Sequence, residues 1–510
     1  MSLFPLNARG KRVWLVQAGA AIVIAVVAVG CGSTYRPVVT PINPTGPAAQ
    51  PTSLVAVVSS PSTTSPGVAT ILNYAGDTVM AQAPIGPGPL SFTVDEAGSS
   101  GYTVNSDGTL TNFRVATTLQ ANNVTYSTLP AASTSVGLFS PSTGLWVADL
   151  NGNVIDVLTG SSSALTFKLA IPVAATPIAV SGPALLGQHN YSISLNNSST
   201  PAGSAIAYTD MTCNNAPSTV AQTGEADALE TTSFTVSARI PLGKCPVYGL
   251  ASSDGRRFFV LNRGSDTVTV INTQTNALNS CTPCDNQSGQ LVTCHPALPL
   301  STTAVTATGI TPPNGTTGMA ATAGPVYAEY SSATSQLVVA NYDGGTISVI
   351  DVSLDEYGND SPTFGTTYTV PVGTNPAGVT VLSDGSRAYA ADQTDETVSV
   401  VNLSSHQVIK TLPVVGHPRT VVSTSNSLYG KVYVASPDSP YLTILRTDQD
   451  IVDTTVLVQG NIIDVRTSTQ NGSTGNAIIT SRRPGAGQPC YLPGAAASDT
   501  LADCQSQTAP

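Results

Sequence analysis

The stretch Pro371 to Pro418, PVGTNPAGVTVLSDGSRAYAADQTDETVSVVNLSSHQVIKTLPVVGHP, constrains the fold more than any other part of the chain. It holds four short apolar runs, AGVTVLS, RAYAAD, TVSVVNL and QVIKTLPV. Turn signals separate them at Asp384-Gly385, Asp392 to Glu396 and Ser404-Ser405. Runs of about five residues closed by tight turns predict a small four-stranded antiparallel sheet. A sheet of that size cannot bury both faces alone, so copies of it must stack on one another. The unit ends where a near-copy of its own start begins. The chain is therefore expected to be all-β: a β-propeller of seven or eight four-stranded antiparallel blades.

Two marks repeat along the sequence. Pairs of prolines five residues apart flank a small-residue loop at Pro84/Pro89, Pro172/Pro177, Pro241/Pro246, Pro371/Pro376 and Pro413/Pro418. Proline cannot donate to a ladder, so these pairs mark crossovers from the outer strand of one blade to the inner strand of the next. The second mark is a strand ending in a short polar residue: YTVN (102–105), WVAD (146–149), YSIS (191–194), FVLN (259–262), VVAN (338–341), YAAD (389–392), YVAS (433–436) and AIIT (477–480). Asn105 and Asp149, Asp392 and Ser436, and Ser436 and Thr480 are each 44 residues apart. The terminal polar side chain is expected to bond nearby backbone in the following turn.

Eight inner strands can be counted, from GPLSFTV to NIIDVRTS. The last is expected to pair with NAIITSR and to borrow its outer strands, PGVATILN and DTVMAQAPIG, from the N-terminal side of the chain. A blade built from both ends closes the ring and removes two exposed edges. Insertions interrupt the period at 196–233, 279–313 and 353–366, and long insertions on a rigid scaffold are common sites of function.

The N-terminus reads as an export signal. Arg9, Lys11 and Arg12 precede the apolar run Val13 to Val29, which ends in Ala28-Val29-Gly30-Cys31. This resembles a bacterial lipobox, with Ala28 where leucine is usual, and implies lipidation of Cys31. The resemblance implies a bacterial cell envelope location. Gly32, not aspartate, follows the cysteine, which favours the outer membrane. The expected organisation is a signal peptide at 1–30, a lipidated Cys31 with a proline-rich tether to residue 53, a propeller at 54–484 and a cysteine-containing tail at 485–510. Without the signal, sixteen basic residues face thirty acidic ones, a net charge of −14. That balance excludes a nucleic-acid backbone as partner and suits a protein or small polar ligand.

Segments such as SSDGRRFFVLNRGSDTVTVINTQTNAL (252–278) and SDGSRAYAADQTDETVSVVNLSSHQVIKTLPVVGHP (383–418) resemble the YVTN family of β-propeller repeats. The likeness is good over roughly 244–436 and poor in 173–243. It implies a propeller of the lactonase-like superfamily, whose members include surface proteins, binding proteins and a few enzymes. It also implies that the crossover loops ring one mouth of the channel, with the loops after the YVTN strands nearby. Lys244, Arg263, Asp343, Asn375, His417 and Arg419 are the candidate ligand-binding residues there. By the proline register, His417 corresponds to Gly88, Thr176, Cys245 and Asn375.

The remaining cysteines, Cys213, Cys245, Cys281, Cys284, Cys294, Cys490 and Cys504, are candidates for disulfides in an exported chain. Cys490 with Cys504 and Cys213 with Cys245 are possible pairs, leaving one odd thiol among the rest. A zinc set of Cys281, Cys284, Cys294 and His295 is disfavoured because adjacent Cys294 and His295 are awkward ligands to one ion. The run Asp149-x-Asn151-x-Asn153 mimics the opening of a calcium loop but lacks its distal glutamate and reads as a hairpin turn. No cofactor, metal or catalytic residue is assigned. The expected function is a lipid-anchored binding or interaction module; the alternative is a lactonase-like hydrolase working at the channel mouth.

Overall fold

The computed structural model describes residues 53–62, 64–95, 97–130, 135–139, 144–149, 152–161, 164–182, 189–195, 223–280, 284–285, 291–292, 294–300, 323–356, 358–424, 430–468 and 479–480. Their strands form eight antiparallel blades. Numbered from the first inner strand, blade 1 runs Pro89–Val94, Ser100–Asn105, Thr109–Arg114 and Thr125–Thr128. Blades 2 to 7 begin at Ser135–Phe139, Pro177–Ser181, Pro246–Ala251, Pro325–Ser331, Pro376–Val381 and Thr420–Ser423. The Pro371–Pro418 unit is blade 6, with successive strands Pro376–Val381, Arg387–Asp392, Thr397–Asn402 and Gln407–Pro413. Its burial follows from its place in the ring. The second strand is almost wholly buried because both faces pack on neighbouring blades, whereas the outer strand is exposed at all but one position.

Blade 8 closes the ring with strands from both ends of the chain. Its inner strand is Asn461–Thr467, and the other three are Leu54–Ser60, Pro66–Asn73 and Thr78–Pro87. The N-terminal side thus supplies three strands, not two, and the second strand is LVAVVSS. The expected partner NAIITSR contributes Ile479–Thr480 elsewhere, paired with the inner strand of blade 2 through Leu138 and Gly137. LVAVVSS wins its place because all seven of its residues are buried, a pattern only a central strand tolerates.

The repeat marks have specific geometry. In blade 1, Asn105 Nδ2 donates to Thr109 Oγ1 at 3.0 Å and Thr111 Oγ1 at 2.8 Å. In blade 4, Asn262 Nδ2 reaches Thr267 Oγ1 at 3.2 Å and Thr269 Oγ1 at 2.8 Å. In blade 5, Asn341 Nδ2 reaches Thr346 Oγ1 at 3.0 Å and Ser348 Oγ at 2.9 Å. Blade 6 inverts the polarity: Ser399 and Thr397 hydroxyls donate to Asp392 Oδ2 at 2.6 and 3.2 Å. In these blades the polar residue clamps the next strand rather than bonding mainly to turn backbone.

The crossovers dock onto the same clamps. The residue two past the first proline lends its N–H to the next blade: Gly86 to Thr111 Oγ1 at 3.0 Å, Ala174 to Asp227 Oδ2 at 2.7 Å and Val415 to Thr443 Oγ1 at 3.4 Å. A Cβ on Gly373 would lie 2.6 Å from Asp392, so the backbone must come close with no side chain. The residue before the second proline is left-handed at Gly88, Thr176, Cys245 and Asn375. At the next crossover the positive φ falls on Gly416, so His417 is not the conformational equivalent of Asn375.

Two of the three insertions give residues to the blades. Thr223–Glu230 is the third strand of blade 3, which confines that insertion to 196–222, outside the described residues. In blade 4 the outer position is split between Ala277–Leu278 and Ala297–Pro299. In blade 5 the 353–366 segment joins the third and outer strands.

Candidate functional site

An antiparallel meander puts the crossovers and the turns between second and third strands on one face of the ring. All six candidate residues sit on that face. Arg263 follows the second strand of blade 4 and forms a two-pronged pair with Asp343 of blade 5, Nε to Oδ2 at 3.1 Å and Nη2 to Oδ1 at 2.8 Å. Its guanidinium lies 5.6 Å from the ring centre of Tyr342. The Tyr342 hydroxyl donates to Gln393 of blade 6 at 3.1 Å, and its carbonyl accepts from Asn375 Nδ2 at 3.2 Å. Thr394 Oγ1 closes the network on Asn375 Oδ1 at 2.8 Å. Arg263, Asp343 and Asn375 are thus brought together in one net across blades 4 to 6. Gln393 and Tyr342 complete it and were not singled out from the sequence.

His417 stands apart from that net, over blades 6 and 7. Its Nδ1 lies 2.6 Å from Asp438 Oδ2, its backbone N–H donates to Asp438 Oδ1 at 2.9 Å, and its Nε2 is 3.7 Å from Glu396 Oε1. The imidazole side chain is 51% exposed. With exposed Asp395 beside Glu396, this sector of the rim is acidic. Lys244 is half-buried at the blade 3 to blade 4 crossover, where its backbone N–H donates to Ser265 Oγ at 3.2 Å. Arg419 is buried at 2% exposure, with Nη2 3.5 Å from the Ile463 carbonyl of blade 8. It follows a buried proline into the inner strand, so its side chain lies under the rim rather than on it.

The interior of the channel carries polar groups that the repeat pattern did not reveal. Arg466, on the inner strand of blade 8, donates to Asp464 Oδ2 at 2.8 Å. Burial pushes its guanidinium down. Asp464, then Tyr327 and Tyr248, push it up further, and the net shift is upward, so it stays charged at 3% exposure. Tyr248 and Tyr327 belong to the inner strands of blades 4 and 5, with ring centres 4.6 Å apart. Blades 8 and 4 face each other in an eight-blade ring, so this arginine meets its tyrosines across the channel. Only the closure of the ring reveals it.

Of the disfavoured zinc set, Cys281 and the side chain of Cys284 lie outside the described residues, and His295 is engaged elsewhere. His295 Nδ1 lies 3.0 Å from Asp360 Oδ2, and Asp360 also receives Arg257 Nη2 at 3.0 Å and Asn279 Nδ2 at 2.8 Å. This buried knot ties the blade 4 insertion to the blade 5 insertion. Cys245 and Cys294 are not free thiols. Cys31, Cys213, Cys281, Cys490 and Cys504 lie outside the described residues, as does the side chain of Cys284. Among the described residues, no three His, Cys, Asp or Glu side chains gather as a metal set.

No protein-family model matches the chain, and no curated protein does. Solved propeller structures do. Apo AztD from Citrobacter koseri aligns at 11% identity and a TM-score of 0.51, covering 81% of this chain and 97% of that one. The dihydro-heme d1 dehydrogenase NirN aligns at 14% identity and a TM-score of 0.51, covering 83% and 75%. A putative 6-phosphogluconolactonase from Bacteroides fragilis aligns at 12% identity and a TM-score of 0.45, covering 81% and 97%. At these identities the likeness concerns the fold alone.

Proposed function

We propose that this chain is an exported, lipid-anchored β-propeller that acts as a binding module at the cell envelope, with the crossover face of blades 4 to 7 as its recognition surface. The observation that carries the reading is the Arg263–Asp343–Tyr342–Gln393–Asn375 net. Three blades' loops are locked by reciprocal side-chain bonds, so the rim presents a preorganised surface and loses little entropy on binding. The exposed Asp395 and Glu396 beside it, with half-buried Asp438 beyond them, suit a polar partner bearing positive charge. The N-terminal signal and Cys31 supply the anchor, and six of the other seven cysteines pair as disulfides in the oxidising space outside the cytoplasm.

The test uses the domain beginning at Gly32. Its thermal shift is read against a panel of amines, cationic peptides and acidic sugars, with Glu396→Gln/Asp438→Asn as the rim variant. A cationic ligand that stabilises the parent and not the variant supports the reading. Stabilisation by acidic sugars alone, or by cationic ligands equally in both proteins, rejects the charge assignment.

A hydrolase is the second reading, and the His417–Asp438 pair favours it. A carboxylate on Nδ1 orients the imidazole and turns Nε2, 3.7 Å from Glu396 Oε1, toward the rim, where it could take a proton from water. Hydrolysis of a lactone panel that disappears in His417→Ala would establish it. Hydrolysis that persists in that variant would remove His417 from the chemistry.

A further inference from the structure

We propose that the interface between blades 2 and 3 holds a calcium ion, coordinated by Asp227, Glu225, Ser192 and Ser194. Strand register brings these residues together. Ser192 lies directly opposite Asp227, and Ser194 opposite Glu225. Directly opposed residues of an antiparallel pair share one face with Cβ atoms about 5 Å apart. The alternate residues of that strand point the other way: Tyr191 stacks on Phe258 of blade 4, with ring centres 4.7 Å apart. The four oxygen-bearing side chains therefore face blade 2.

Ser192, Ser194 and Asp227 are each 0% exposed. Ser192 Oγ, Ser194 Oγ and Asp227 Oδ1 make no hydrogen bond, while Asp227 Oδ2 accepts from the Ala174 N–H at 2.7 Å. Buried polar atoms are nearly always partnered, so three orphans on adjoining residues point to a missing ligand. The other blades show what is unusual. At the matching positions blade 4 has Asn262, Thr267 and Thr269, where the amide nitrogen bonds both hydroxyls at 3.2 and 2.8 Å and only Asn262 Oδ1 is left without a partner. Blade 3 has a serine in place of the amide and carboxylates in place of both hydroxyls, so the amide donor is lost and two carboxylates enter the clamp.

The donor set selects the ion. All four side chains offer oxygen, which suits a hard cation, and Asp227 and Glu225 supply the negative charge, Glu225 sharing its own with Arg239. Calcium accepts an irregular set of carboxylate and neutral oxygens, whereas magnesium demands near-octahedral geometry and retains several waters. Glu225 opens the site to solvent: its side chain is 19% exposed and pairs with Arg239 at 3.2 Å. Burial pushes the Asp227 carboxyl up to about 6, and a bound cation would bring it back down.

The test uses the domain beginning at Gly32, in which Trp146 is the single tryptophan, because the chain's other one is Trp14. Trp146 stacks on Phe234 of blade 3 at 5.8 Å, which places it at this interface as a donor to a luminescent lanthanide. Tb³⁺ emission excited through tryptophan should saturate at one equivalent and be displaced by Ca²⁺. Its affinity should fall about tenfold or more in both Asp227→Asn and Ser192→Ala/Ser194→Ala. Calcium at about 10 mM should raise the melting temperature of the parent by a few degrees and leave both variants unmoved. Absence of emission together with an unmoved parent melting temperature, or emission equally strong in both variants, would overturn the proposal in favour of a proton shared between Asp227 and Glu225.

Discussion

Asp392→Asn should stabilise the propeller, by an amount set by pH. Asp392 is fully buried at the end of the second strand of blade 6, and burial pushes its carboxyl from 3.8 up to about 7 despite hydrogen bonds from Ser399 and Thr397. Because the folded value lies above the unfolded one, the folded state binds the extra proton. The stability this confers is present below pH 3.8 and is lost as pH rises toward 7. At about 1.36 kcal/mol per pH unit, full ionisation removes at most about 4 kcal/mol. Asparagine carries no charge and can donate to Thr397 and Ser399 as Asn341 donates to Thr346 and Ser348. Allowing for relaxation around the ionised aspartate, the variant should gain about 2 kcal/mol at pH 8 and almost nothing at pH 4. Denaturant unfolding of parent and variant between these limits reads the difference directly. A gain independent of pH, or a loss at every pH, would refute the reasoning.

Other positions test other links. Gly373→Ala should lower stability by about 1–3 kcal/mol, because its Cβ would meet Asp392 at 2.6 Å. Gly76→Ala, with its nearest neighbour atom at 3.5 Å, should be nearly neutral in the same unfolding assay. Arg466→Met should cost about 3–5 kcal/mol by leaving Asp464 buried without its cation. Adding Asp464→Leu should recover most of that loss in a double-mutant cycle. Cys31→Ser should move the full chain from membrane to soluble fractions and abolish labelling by a fatty-acid analogue; a variant still acylated and membrane-bound would remove the anchor.

What could be read from the chain was whatever repeats. The strand–turn pattern of Pro371–Pro418, the paired prolines and the polar strand ends gave the propeller, and the near-copies gave the closing blade its composite character. These features are local, since each blade must satisfy the same turns, crossovers and faces with nearby residues. The sequence also pointed to Arg263, Asp343 and Asn375, because repeat register places them on one face. It did not show that Asp343 would pair with Arg263 while His417 turned to Asp438.

What only the tertiary structure decided is whatever a single blade does not contain. LVAVVSS displaced NAIITSR from blade 8 because a central position selects a strand that can be buried along its whole length, and no turn signal encodes that competition. Arg466 meets Tyr248 and Tyr327 only when the ring closes, and their positions lie more than a hundred residues apart. The orphaned oxygens of blade 3 read as ordinary Ser, Asp and Glu in sequence. They become an acceptor set because an interface removes water from them, and desolvation is a property of neighbours.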